Sequence, residues 1–147
     1  LRIILDKDYV VSSTARSLGE NCIIFTAKNP VDRPEVIATD TKVIQSPLDS
    51  TGRFAWKDIL AYLGELGLHA LLVEGGSSIH SSLILSGNVE KILVFVAPKL
   101  LGMGIPLVDW DAPERIADAR ALVITGAKII GGDVLIEASL EEQCSQV

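Results

Sequence analysis

Cysteine, histidine and aromatic residues are scarce in this chain of 147 residues. The two cysteines, Cys22 and Cys144, are far apart, and the two histidines are His69 and His80. Isolated cysteines form neither a metal-binding motif nor a disulfide framework. We therefore expect no metal site and a protein of the reducing cytoplasm. Because aromatic residues make up only 5% of the chain, its core must be built from aliphatic side chains.

Basic residues and long apolar runs are also in short supply. The chain carries 13 Lys and Arg residues against 19 Asp and Glu residues, which gives a net charge of −6. A nucleic-acid partner needs a basic patch to meet its phosphates, so this balance argues against one. No apolar run reaches the roughly 18 residues that a membrane span needs, and no signal peptide is visible. We expect neither a nucleic-acid partner nor a membrane partner.

Apolar runs alternate with helical patterns along the chain, whose length is that of one domain. The predicted strands are residues 1–6, 22–27, 36–38, 42–45, 71–74 and 91–97, followed by a hairpin of 121–130 and 133–138. The predicted helices are residues 54–66, 77–86 and 111–119, the first capped by Ser50 or Thr51 and ended by Gly67. This alternation predicts an α/β domain over residues 1–140, with a mainly parallel sheet flanked by helices and a C-terminal antiparallel hairpin. A polar tail over 141–147 completes the chain.

The stretch LLVEGGSSIHSSLILSG, residues 71–87, holds the most informative pattern. An apolar run ends at a pair of glycines, Gly75 and Gly76, and a helical pattern starts directly after them. The glycines permit positive φ angles and a close approach of the backbone to a ligand. A helix N-terminus offers unpaired N–H groups and partial positive charge, which suit a phosphate. The pattern predicts a dinucleotide-phosphate site.

Polar side chains surround the same turn. Ser77 and Ser78 add hydroxyl groups that can cap the helix, and Glu74 places a carboxylate at the end of the predicted strand, where open α/β sheets bind ligands. A second interpretation stays open, because Gly-Gly turns also occur in α/β domains that bind nothing there. The turn also lacks the G-x-G-x-x-G spacing of the dinucleotide fingerprint.

Three segments occur in the order expected for one family: LRIILD, LLVEGGSSIHSSLILSGNVEKILVFVAPKLLG and GGDVLIEASL. They resemble the reductase domain of the bifunctional riboflavin-biosynthesis deaminase/reductase, and the resemblance covers nearly the whole chain. It implies a dihydrofolate-reductase-like fold and an NADPH-dependent reduction. The implied substrate is 5-amino-6-(5-phosphoribosylamino)uracil, a phosphoribosylamino-pyrimidine whose ribose is opened and reduced to a ribityl chain.

The resemblance also implies roles for individual residues. Glu74 is assigned to the substrate, and Lys7 is the implied partner of the adenosine 2′-phosphate of NADPH. The other implied cofactor residues are Gly75, Gly76, Ser77, Ser78, Ile79, His80, Ser81 and Ser82. A solvated role for His80 stays open beside a phosphate contact, and no catalytic residue is implied.

Parts of the family pattern are not found in this sequence. In the family the reductase domain begins one or two strands and a helix earlier and follows a zinc deaminase domain, whereas no H-x-E with C-x-x-C occurs here. We therefore expect a domain without its N-terminal strands that has little reductase activity alone. We also expect a homo-oligomer, because an uncovered strand edge tends to pair with another copy. Two other functions stay open: a related dihydrofolate-reductase-like oxidoreductase, or a non-catalytic nucleotide-binding or oligomerisation module.

Overall fold

The computed structural model describes residues 1–141 and divides the chain into two compact units, Leu1–Leu71 and Leu72–Val147. Except for Glu141, the predicted polar tail, with Cys144, lies outside the described residues. Within residues 1–141, no helix has the length and apolar composition needed to cross a membrane. In the same part of the chain, no three His, Cys, Asp or Glu side chains are grouped so as to hold a metal ion.

The first unit is built on a parallel sheet of three strands. Their order in the sheet is β1 (Arg2–Leu5), β2 (Cys22–Thr26) and β3 (Lys42–Gln45). Every residue of the central strand β2 is buried, as expected for a parallel strand whose two faces are both covered. The three strands confirm the sequence prediction for these segments.

Two apolar clusters cover the opposite faces of this sheet, because successive side chains of a strand alternate between its faces. On one face, the buried side chains are Ile23, Phe25, Phe54, Ile59 and Leu63. On the other, they are Tyr9, Cys22, Ile24 and Val36. Burial raises the pKa of the Cys22 thiol, so this cysteine stays protonated and acts as a small apolar core residue.

The helices of the first unit are α1 (Pro34–Ile37) and α2 (Trp56–Glu65). The predicted strand over 36–38 is wrong, since Pro34 occupies the first turn of α1 and its fixed φ favours a helix start. The predicted cap of α2 by Ser50 or Thr51 is also wrong. Ala55 is the N-cap and makes no side-chain cap bond, while the Thr51 hydroxyl donates to Asp49 Oδ1 at 2.6 Å within the preceding turn.

The second unit combines α3 (Ser77–Leu85) with an antiparallel sheet. The sheet contains β4 (Ile92–Val96), β5 (Leu122–Ile130) and β6 (Asp133–Leu140), with β6 in the centre. Gly131 and Gly132 connect β5 to β6 with φ angles of 59° and 102°. Positive φ at both positions of a two-residue loop is what a tight hairpin requires, and the predicted hairpin is confirmed.

Two predictions for the second half of the chain are wrong. Residues 71–74 form no strand, because an apolar run becomes a strand only where a neighbour supplies the ladder hydrogen bonds. The helix predicted over 111–119 is reduced to a 3₁₀ turn at Ile116–Asp118. The strand over 91–97 does form as β4, but it pairs antiparallel with β6. Within the described part of the chain, residues 1–141, parallel pairing is therefore confined to β1, β2 and β3.

Candidate functional site

The N-terminus of α3 begins at the glycine turn. Gly76 is the N-cap, and its carbonyl oxygen accepts the N–H groups of Ile79 at 3.1 Å and His80 at 3.2 Å. No side chain caps this end of the helix, so the expected cap by Ser77 or Ser78 is wrong. Both serines already lie inside the first turn, whereas a capping side chain comes from the residue before it. Within residues 1–141, the amides of Ser77 and Ser78 receive no bond from a capping side chain, so they can bind a ligand or water.

The two glycines of the turn serve different purposes. Neither adopts the positive φ that the sequence suggested, and Gly76 has φ −84°. A Cβ on Gly75 would lie 3.0 Å from the Cβ of Ile79, so Gly75 is required for close packing against α3. A Cβ on Gly76 would meet no described atom of residues 1–141 within 4 Å. Gly76 therefore leaves open space next to the uncapped helix end.

Glu74 lies two residues before the helix N-cap, and its side chain is exposed. Because residues 71–74 form no strand, its position comes from the glycine turn rather than from the end of a sheet. A carboxylate near a helix N-terminus is favoured by the helix dipole. The assignment of Glu74 to a substrate stays a prediction.

Three further side chains of α3 are engaged within the second unit. His80 Nδ1 lies 3.1 Å from the carbonyl oxygen of Leu107, and this nitrogen is the donor because a carbonyl oxygen can only accept. The Ser81 hydroxyl accepts the N–H of Asp109 at 2.5 Å. The Ser82 hydroxyl donates to the carbonyl oxygen of Ile79 at 2.9 Å. The structure thus brings residues 75–82 together, while their contact with a cofactor stays a prediction.

Lys7 lies in the first unit, in the loop that follows β1. Its side chain is exposed, and its carbonyl oxygen accepts the N–H of Ala27 at 3.1 Å and the hydroxyl of Thr26 at 3.4 Å. These bonds hold the backbone of Lys7 at the carboxyl end of the parallel sheet. This is the end where open α/β sheets bind ligands.

Sequence reasoning missed Lys28, a second exposed lysine at the same sheet end. The N–H of Lys28 donates to the Thr26 hydroxyl at 3.2 Å, and that hydroxyl also donates to the carbonyl oxygen of Lys7. Thr26 therefore links the backbones of the two lysines. The signal was present in the sequence, because Lys28 comes two residues after Thr26, the last residue of a strand that pairs in parallel with β1.

These features place the chain in the mixed α/β class, and each unit carries one group suited to phosphate. The first unit has two lysines after its parallel strands, and the second unit has a glycine turn at the start of a helix. The RibD C-terminal domain family matches residues 1–136, and the chain belongs to that family. The resemblance to the reductase domain of riboflavin-biosynthesis enzymes is confirmed.

Curated relatives support the same family. The riboflavin biosynthesis protein RibD of Bacillus amyloliquefaciens is 29% identical over 143 residues, which cover 94% of this chain and 38% of that protein. The 2,5-diamino-6-ribosylamino-4(3H)-pyrimidinone 5′-phosphate reductase of Methanothermobacter thermautotrophicus is 28% identical over 143 residues. That match covers 96% of this chain and 66% of the archaeal protein.

Solved structures support the fold. Acinetobacter baumannii RibD matches with a TM-score of 0.80 at 18% identity, covering 95% of this chain and 37% of that chain. The mixed α/β class with a dihydrofolate-reductase-like fold is confirmed.

Proposed function

We propose that the chain is the reductase domain of a riboflavin-biosynthesis enzyme. In this proposal it binds NADPH and reduces the ribose of 5-amino-6-(5-phosphoribosylamino)uracil to a ribityl chain. The observation that carries the proposal is the family match over residues 1–136. The name of the archaeal relative, a reductase of a ribosylamino-pyrimidinone phosphate, supports the substrate class.

The glycine turn of the second unit fits the pyrophosphate of NADPH. Space is open at the position of a Gly76 Cβ, and no side chain occupies the cap position of α3. In the proposed complex, the amides of Ser77 and Ser78 donate to the phosphate oxygens, and the partial positive charge of the helix end stabilises them. When bound, the nicotinamide supplies the hydride for the reduction, and the protein supplies position and charge.

Two lysines of the first unit suit the adenosine 2′-phosphate, which distinguishes NADPH from NADH. We infer that Lys7 binds this group and that Lys28 supports it, since Thr26 holds both backbones at one sheet end. An ammonium group binds a phosphate as a point charge and does not need a fixed orientation. The flexible side chains of two exposed lysines therefore fit the task.

Glu74 is the proposed substrate residue. Its exposed carboxylate can accept hydrogen bonds from the amino and N–H groups of a pyrimidine or from the hydroxyls of an opened ribose. The negative charge of the Glu74 carboxylate repels a phosphate. We therefore assign Glu74 to the pyrimidine or ribose part of the substrate rather than to the phosphates of the cofactor.

The proposed partners are a zinc deaminase domain in the same polypeptide and a second copy of the chain. The Bacillus relative is much longer than the segment it shares with this chain, which covers 38% of it. Self-association is supported by strand β5, where Ile124 is 65% and Ile129 79% exposed. Exposed apolar side chains of this size on an edge strand favour pairing with a partner. Light scattering is expected to give a mass at least twice that of one chain, and the mass of a monomer would refute the proposed self-association.

A substrate comparison tests the proposed reaction. Because the domain alone is expected to have little reductase activity, the full-length enzyme of the proposal is used. It is mixed with NADPH and, in turn, with the aminouracil substrate, the related diaminopyrimidinone and dihydrofolate, and loss of reduced nicotinamide is followed. The proposal predicts that NADPH is oxidised when a phosphoribosylamino-pyrimidine is present and is not oxidised when dihydrofolate is present. NADPH binding without turnover of either pyrimidine would favour the non-catalytic nucleotide-binding module. Turnover of dihydrofolate alone would favour a different oxidoreductase.

A further inference from the structure

An apolar loop follows β4 in the second unit and is defined here as residues 97–106. Its large side chains are almost fully solvent-exposed, at 87% to 103%: Leu100, Leu101, Met103 and Ile105. Four such side chains on one loop create a surface that water solvates poorly. The loop is therefore a candidate for covering a bound ligand.

The far end of the apolar loop is held by α3. His80 Nδ1 donates to the carbonyl oxygen of Leu107 at 3.1 Å, and the N–H of Asp109 donates to the Ser81 hydroxyl at 2.5 Å. Ser81 is completely buried, so this bond is shielded from competing water. A buried, satisfied polar contact of this kind stabilises one arrangement of the chain, because breaking it leaves an unpaired buried group.

The attachment lies close to the proposed pyrophosphate site. His80 and Ser81 are four and five residues beyond the Gly76 N-cap. At a rise of about 1.5 Å per residue, they lie roughly 6 to 8 Å along the helix from that end. The segment from Leu107 to Asp109 is thus fixed within about one and a half turns of the uncapped amides.

We propose that His80 and Ser81 are positioning residues that fix residues 107–109 against α3, so that the apolar loop covers NADPH bound at the glycine turn. This inference rests on the proposed function and changes the expected role of the two residues. Both side chains face a protein backbone group, and neither needs to contact the cofactor. Coverage by apolar side chains would exclude water from the bound cofactor.

Limited proteolysis with NADPH as the probe tests the proposal. Trypsin cleavage after Lys99, an exposed residue of the apolar loop, is followed by mass spectrometry with and without NADPH, and the Kd for NADPH is measured on the same samples. In the wild-type protein, NADPH is expected to slow this cleavage. In Ser81→Ala we expect faster cleavage without NADPH, loss of the protection, and a Kd raised about five- to tenfold, the value of one hydrogen bond.

Three variants sharpen the comparison. Ser86→Ala is the matched control, because its hydroxyl donates to the carbonyl oxygen of Leu83 within the same helix, and it should behave as wild type. His80→Ala should behave as Ser81→Ala. His80→Gln should retain wild-type protection, since its amide can donate to Leu107. The His80 pair decides the question if Ser81→Ala does not fold.

Distinct results would overturn the proposal. Wild-type cleavage rates and Kd in both alanine variants would show that these contacts do not position the apolar loop. A raised Kd with unchanged cleavage after Lys99 would make Ser81 and His80 direct cofactor ligands. If the wild-type protein does not bind NADPH, the proposed function fails and coverage of NADPH fails with it. Cleavage without NADPH would still report whether α3 holds the loop.

Discussion

Arg33 holds the loop after β1 through Tyr9. Its Nη1 donates to the carbonyl oxygen of Tyr9 at 2.7 Å, and its guanidinium carbon lies 5.5 Å from the centroid of the Tyr9 ring. Tyr9 is 2% exposed and has φ 57°, a conformation that costs energy for a residue with a side chain. The same Nη1 also donates to the carbonyl oxygen of Val11. The loop that carries Lys7 is therefore held in place by Arg33, at the start of α1.

Replacement of Arg33 should destabilise the first unit. Arg33→Lys removes the planar guanidinium group that contacts the carbonyl oxygens of Tyr9 and Val11 and the Tyr9 ring. We therefore expect the free energy of unfolding to fall by about 1 to 3 kcal/mol. Urea denaturation followed by circular dichroism measures this. Arg16→Ala, at an exposed arginine of the same unit, is the control and should stay within about 0.5 kcal/mol of wild type. Equal losses in the two variants would contradict the structural role of Arg33.

Gly76→Val should remove NADPH binding and leave the fold intact. The open space at Gly76 accommodates the side chain, although valine is a poorer N-cap than glycine and costs about 1 kcal/mol or less. The valine side chain would then occupy the space in which the pyrophosphate is proposed to bind. Gly64→Ala, in the similarly open position on α2, is the control and should keep wild-type affinity. Unchanged NADPH affinity in folded Gly76→Val would refute this site.

Glu74→Gln should impair turnover of the substrate more than binding of the cofactor. The amide keeps the size of the side chain but removes the charge that accepts hydrogen bonds strongly. In the full-length enzyme of the proposal, we expect kcat/KM for the pyrimidine to fall by about tenfold or more, while the Kd for NADPH stays the same. Steady-state kinetics and cofactor titration separate the two effects. A parallel loss of NADPH affinity would place Glu74 at the cofactor instead.

Lys7→Ala should reduce the preference for NADPH over NADH. Loss of one charge-assisted contact raises the Kd for NADPH by about tenfold and leaves that for NADH unchanged. Lys28→Ala should have a smaller effect in the same direction, and both effects should shrink as salt is added. If both dinucleotides weaken equally in Lys7→Ala, the 2′-phosphate assignment is wrong.

Local signals sufficed for most elements of the fold. The apolar run of β2, the amphipathic pattern of α2 and the two glycines after β5 each determine their structure over a few residues, and all three predictions are confirmed. The turn before α3 was recognised for the same reason. Neither glycine has a positive φ, however: Gly75 permits close packing against Ile79, and Gly76 leaves open space.

The missed features depend on partners distant in sequence or on a misread local signal. Residues 71–74 have strand-like composition, but composition does not supply a neighbouring strand. The apolar pattern of 36–38 predicts a strand, whereas Pro34 just before it is typical of the first turn of a helix. The hydrogen bond between Ser81 and Asp109 joins residues 28 positions apart, and a local sequence pattern does not predict such a contact.

The measurement that tests the central claim most directly is transfer of isotope from cofactor to product. NADPH carrying two deuterium atoms at the nicotinamide C4 position is incubated with the full-length enzyme of the proposal and the phosphoribosylamino-pyrimidine, and the product is analysed by mass spectrometry. A reductase places one deuterium on the ribityl chain, and Gly76→Val abolishes the transfer. Saturable NADPH binding by the protein with an unlabelled, unreduced pyrimidine would contradict the proposed reaction.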